Sequence, residues 1–129
     1  MTTRTLVLIA AALEAATGCA LIVKPDAVAH LLIGADLSSG GIAIGRVAGF
    51  GLLSLGMACW PGEDVVAAQV TSALFTYNLL SALYIIGLGV VGGFAGYLLW
   101  PAGAYHALLA LLLARPAYRA IRRAGPGQR

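Results

Sequence analysis

The sequence predicts an all-α protein: an up-down four-helix transmembrane bundle with a short amphipathic helix in its first outer loop. Three observations carry this expectation. Apolar residues make up 60% of the 129-residue chain and charged residues only 10%, against about 25% charged in an ordinary soluble domain; the mean hydropathy is +0.92. Apolar runs at 5–23, 41–60, 65–91 and 94–114 each reach the roughly 17 to 25 residues that a helix needs to cross hydrocarbon. Basic residues gather on one side of these runs, with Arg4 before the first and Arg115, Arg119, Arg122, Arg123 and Arg129 after the fourth. By the positive-inside rule both termini are cytoplasmic and the chain is a multi-pass protein of the cytoplasmic (inner) membrane.

The first run follows Arg4, and Ala16-Thr17-Gly18-Cys19 loosely matches a lipoprotein cleavage box. Glu14 interrupts the apolar region and Ala20 to Val23 continue it past Cys19, so the segment reads as a retained span rather than a signal peptide. Between spans one and two, Pro25-Asp26 followed by Ala27, Val28, Leu31, Leu32 and Ile33 reads as an N-cap and a short amphipathic helix lying at the outer surface. Ser38-Ser39-Gly40-Gly41 reads as a flexible turn into span two. Pro61 to Asp64 and Gly92-Gly93 are short connections that make their flanking spans antiparallel neighbours. Span three has excess length for tilt. Pro101 is expected to kink span four, since it cannot donate to the carbonyl of Tyr97. Four spans leave no room for a second domain, so residues 1–129 read as one membrane domain with a basic tail at 115–129. Trp60, Tyr97, Trp100 and Tyr118 fall where interfacial aromatics belong.

Helix packing is written in small residues: Gly41, Gly45 and Gly49 in span two, with Gly56 further along, and Ala11, Ala15 and Cys19 in span one. Small residues let backbones approach in lipid, where packing replaces the hydrophobic effect as the driving force. Internal packing of span one on span two is the first reading, and a homodimer seam is the second. Cys19 and Cys59 lie near opposite ends of the bundle, too far apart for a disulfide or a shared metal.

Each span carries one strongly polar residue near its middle: Glu14, Arg46, Asn78 and His106. A carboxylate or guanidinium at this depth costs on the order of 2.5 to 3.5 kcal/mol, which favours placement inside the bundle. Glu14 with Arg46 is the obvious ion pair. Helical side chains lean toward their own N-terminus, however, so these two lean apart, and Arg46 is long enough to snorkel to the outer interface. His106 leans toward the level of Glu14 from a neighbouring helix, making Glu14 and His106 the preferred pair, suited to carrying a proton or orienting a ligand. Tyr77 and Ser81 border Asn78 on a polar lane that also includes Gln69, Thr71, Ser72 and Tyr84. Haem ligation by His106 lacks a second axial ligand, because His30 belongs to the outer loop.

Glu14, Gly45-Arg46, Tyr77-Asn78 and Trp100-Pro101 with His106 together resemble the small four-span membrane proteins of bacteria, broadly the DoxX-like group; the resemblance covers the whole chain and implies fold more than activity. Glu14 alone is similar to the first-helix carboxylate of the small multidrug resistance transporters, which exchanges protons for cations. Here the long outer loop, Arg46 and the one-sided Arg bias depart from that pattern.

The leading function is a non-enzymatic membrane protein that holds a small amphipathic or lipid-like ligand, or a partner subunit, at a polar centre of Glu14, Arg46, Tyr77, Asn78, Ser81 and His106. A proton-coupled transporter using Glu14 is the alternative. An intramembrane isomerase or redox accessory protein is third. No nucleotide loop, metal cluster or nucleophile triad is present to assign catalytic residues or a cofactor. The formal charge of +3 reflects membrane topology and not a nucleic-acid surface. The implied partners are the bilayer, such a ligand, and a second copy or another membrane subunit.

Overall fold

The computed structural model describes residues 2–62 and 68–123. Among them the chain is all helical: α1 (Thr3–Val23), α2 (Pro25–Ile33), α3 (Ser39–Ala58), α4 (Ala68–Val90) and α5 (Leu99–Arg123). The expected turn at Glu63-Asp64, the start of the third run at 65–67 and the tail at 124–129 lie outside the described residues.

Three of these helices, α1, α3 and α4, are long and apolar enough to cross a membrane. The fourth expected run is less uniform. Instead of beginning at residue 94, α5 begins at Leu99 and continues through Arg115 and Arg119 to Arg123, so it is amphipathic along much of its 25 residues. The late start comes from the connection: Gly93 takes a left-handed conformation (φ 67°) after α4, and the chain at 94–98 docks on α2, where the Leu98 N–H donates to the Leu31 carbonyl at 2.8 Å. Pro101 therefore occupies the first turn of α5, where no N–H is required, rather than the interior position from which a kink was expected.

The caps of α2 and α3 are local. Lys24 precedes α2, whose first residue is Pro25, with Asp26 in the first turn and Gly34 (φ 72°) closing the C-terminus. The Asp26 side chain does not cap the helix; the Lys24 carbonyl starts the hydrogen-bond ladder to Val28 N–H at 3.2 Å. Ser38 is no flexible linker: its hydroxyl accepts from the Gly41 N–H at 3.1 Å and caps α3.

Two antiparallel pairs, α1 on α3 and α4 on α5, account for most of the packing. The first pair closes through small residues. A Cβ added to Gly49 would come within 2.8 Å of the Gly18 carbonyl oxygen, and one added to Gly56 within 2.6 Å of the Ala11 carbonyl oxygen and 2.8 Å of the Ala15 nitrogen. Gly45 instead faces Pro25, Gly41 faces Leu37, and Cys19 is exposed. In the second pair Gly89 meets Leu99 and Trp100, and Gly103 meets Ile86.

At one end a core of Leu6, Val7, Ala10 and Ala11 from α1, Leu74 from α4, Leu109 and Leu113 from α5, and Cys59 joins the pairs. At the other end α2 spans them, packing on α1, α3 and α5. The outer surface is apolar, with Ile44, Val47, Leu83 and Leu111 all exposed, as suits a hydrocarbon environment rather than water.

Because Gly56 has backbone atoms against it and Gly51 has nothing within 4 Å, Gly56→Ala should destabilise the protein by about 1 to 3 kcal/mol through overpacking, while Gly51→Ala should be neutral or stabilising. Unfolding in mixed micelles checks this; equal effects at the two positions would contradict the packing of α1 on α3.

Candidate functional site

The buried stripe of α4, Thr71, Leu74, Asn78, Ala82 and Ile85, repeats at helical spacing, and Asn78 is its midpoint. On α1 the corresponding stripe, Leu6, Val7, Ala10, Ala11, Glu14 and Gly18, contains Glu14. Apolar periodicity thus carries both polar side chains into the interior, where Glu14 is 2% exposed and Asn78 fully buried.

Asn78 holds two partners. Its Nδ2 donates to the Leu74 carbonyl at 2.8 Å, which leaves Oδ1 as an acceptor for the His106 Nδ1 at 2.8 Å. Since Oδ1 has no proton to give, His106 carries its proton on Nδ1, and Nε2 remains as the second polar atom of the ring. Two tyrosines fix the ring edge-on: Tyr77 with centroids 5.7 Å apart and Tyr105 with centroids 5.1 Å apart.

The expected contact between Glu14 and His106 is not made: no hydrogen bond joins them among the described residues. Tyr77 stands between, its ring on His106 and its hydroxyl approaching both the Glu14 carboxyl and Ser81. Glu14 Oε1 is buried with no hydrogen-bond partner, and so is the Tyr105 hydroxyl. An unpaired buried polar atom costs about 1 to 3 kcal/mol, so these two oxygens are a local cost that the packing of α1, α4 and α5 sustains.

Arg46 does not join this group. It is exposed on α3 and makes no ion pair with Glu14 among the described residues. The polar lane of α4 also divides: Thr71 and Asn78 are buried, Tyr77 and Ser81 half-buried, and Gln69 and Tyr84 exposed. His30 lies apart at the end of α2, with its Nδ1 3.1 Å from Asp36 Oδ1. No cluster of metal-ligating side chains occurs among the described residues.

A cavity of about 380 Å³ adjoins the site, lined by Ala48, Gly51, Leu52 and Leu55 of α3 and Tyr77 of α4. It exists because α3 packs on α1 and scarcely touches α4. At 100° per residue, Arg46 falls about half a turn round α3 from this lining face. Tyr77 is the residue shared by cavity and polar group. Tyr105 and the cavity face are the parts that reasoning from sequence missed. Tyr105 precedes Leu109 and Leu113 at four-residue spacing, and that stripe signals an inward face.

No family model, curated protein or solved structure matches this chain.

The Asn78–His106 bond predicts a coupling of about 0.6 kcal/mol, and at most about 1.7, in a double-mutant cycle of Asn78→Ala with His106→Phe followed by unfolding in micelles. Additive single effects would contradict the bond.

Proposed function

We propose that this is a four-span protein of the cytoplasmic membrane, of the DoxX-like kind, that binds a small amphipathic or lipid-like ligand around Glu14, Tyr77, Asn78, Ser81, Tyr105 and His106. The observation that carries the reading is the Glu14 carboxyl oxygen, buried without a partner beside an apolar cavity that Tyr77 lines. Ligand sites combine apolar walls with a few convergent polar groups, and this arrangement has both.

Support for α5 as the fourth span comes from its partner. It packs along α4 from Gly89 against Trp100 through Asn78 against His106 to the shared Leu74, Leu109 and Leu113 core. A crossing by α4 therefore carries α5 with it. The basic residues Arg115, Arg119 and Arg122 then meet the cytoplasmic headgroups, with Arg122 stacked 5.1 Å from the Tyr118 ring centroid. Arg46, on the opposite face of α3, snorkels toward the outer headgroups rather than serving the site.

Proton-coupled transport is the second reading, favoured by the succession of Glu14, Tyr77, His106 and Asn78 across three helices. It differs in requiring that Glu14→Gln abolish pH-dependent uptake while the fold stays intact.

Native mass spectrometry from nanodiscs tests the leading reading: a reproducible added mass on the wild-type chain, absent from Glu14→Leu and retained by Arg46→Gln. A bare wild-type chain, with Glu14→Leu changing only stability, would overturn ligand binding in favour of a structural or partner-binding role. Reporter fusions at the two termini should both report the cytoplasm; opposite sides would remove α5 from the set of spans.

A further inference from the structure

We infer that the outward face of α5 is a binding site for a phospholipid of net negative head in the cytoplasmic leaflet, with its acyl chain along Leu108, Leu111 and Leu112 and its phosphate at Arg115 and Arg119. The site is separate from the polar centre around Glu14, and it rests on the reading of α5 as the fourth span. Helical spacing defines the face. Leu109, Ala110, Leu113 and Ala117 are buried and turn one side of α5 to the bundle. On the opposite side Leu108, Leu111, Arg115, Arg119 and Arg122 follow at steps of three or four residues, with Leu112 beside them, and all six are exposed. This one stripe changes from leucine to arginine within a turn, after about 6 Å of leucine and before about 10 Å of arginine. A soluble acidic peptide or a nucleic acid would meet the arginines and leave the leucines bare. Hydrocarbon alone would do the reverse, and a phospholipid matches both halves.

Side-chain direction brings the charges to the level of a headgroup. Helical side chains lean toward their own N-terminus, which for α5 means back toward the leucines. Arg122 shows this lean, with its Cζ 5.1 Å from the ring centroid of Tyr118 one turn earlier. The same lean carries Arg119 toward Arg115, and guanidinium groups bind phosphate through paired N–H donors. No carboxylate of the chain competes among the described residues, where the one ion pair is His30 with Asp36 beside α2 at the other end. A choline or ethanolamine head brings its own cation to the phosphate, so three arginines favour a head without one.

The experiment uses the full chain in nanodiscs doped with phosphatidylglycerol or phosphatidylcholine carrying the same diazirine-bearing acyl chain. Labelled residues are read by peptide mass spectrometry. Phosphatidylglycerol should label 108–112 about fivefold or more above phosphatidylcholine, the factor expected from even one arginine at the surface. Leu80 and Leu83, exposed on α4, should label equally with both lipids. Arg115→Gln, Arg119→Gln and Arg122→Gln combined should bring phosphatidylglycerol down to phosphatidylcholine at 108–112 and leave Leu80 and Leu83 as they were. Equal labelling of 108–112 in the wild type, or a preference that survives the triple variant, would overturn the site while leaving α5 in the bilayer. Labelling of 108–112 by neither lipid would take α5 out of the hydrocarbon, and the site would fall with the fourth span. Loss of the preference on adding soluble polyglutamate would give the stripe to an acidic protein partner instead.

Discussion

A carboxyl group in the middle of α1 has to be kept from hydrocarbon, and the arrangement of the long helices answers that requirement. Glu14 shares a stripe with Leu6, Val7, Ala10, Ala11 and Gly18, so the face that buries the apolar residues also buries the carboxyl. α4 then brings Tyr77 to it, and α5 sets Tyr105 against the His106 ring that Tyr77 also meets. Helices keep backbone groups paired along their own ladders, as lipid demands, and Pro116 inside α5 gives up one such bond. The side chains are less completely provided for, and the shortfall falls on Glu14 Oε1 and the Tyr105 hydroxyl.

Glycine decides where the structure is tight and where it is open. Gly18, Gly49 and Gly56 draw α1 and α3 together until no Cβ fits between them. That close approach turns α3 toward α1 and leaves its Ala48, Gly51, Leu52 and Leu55 face only loosely covered, with Tyr77 of α4 across the space. Two glycines in one helix thus have opposite meanings: Gly56 is enclosed by backbone, and Gly51 borders free space. α2 restores continuity at the far end, where Gly96 packs against the backbone of Leu31 and Leu32. The result is a bundle joined at both ends and parted between α3 and α4.

Much of this was legible in the chain. The bilayer sets a length scale that makes long apolar runs conspicuous, and α1, α3 and α4 stand close to the runs read from sequence. The start of α5 was not legible, because Phe94 to Leu98 look like helix until their contact with Leu31 is known. The packing register on α1 slipped from Gly18 to Cys19 because strict four-residue counting drifts from the 3.6-residue turn. The burial of Glu14 and Asn78 could be argued from cost alone. Which groups meet could not, since Tyr77 reaching Glu14 depends on how the two helix pairs are set against each other, and the Asn78–His106 bond on the register of α5 along α4. Arg46 has the same cost as Glu14 but a longer stem, and it lies exposed outside the group.

The chain has two glutamates, Glu14 and Glu63, so carboxyl-labelled glutamate yields two side-chain resonances, assigned by Glu63→Gln. Paramagnetic broadening of the Glu14 signal in nanodiscs, by a lipid-dissolved agent and then by a water-soluble one, tests the central claim that this carboxyl is closed to water and reached from the bilayer. The lipid-dissolved agent should broaden it and the aqueous one should spare it. Broadening by the aqueous agent alone would place Glu14 on a water-filled path and contradict the account.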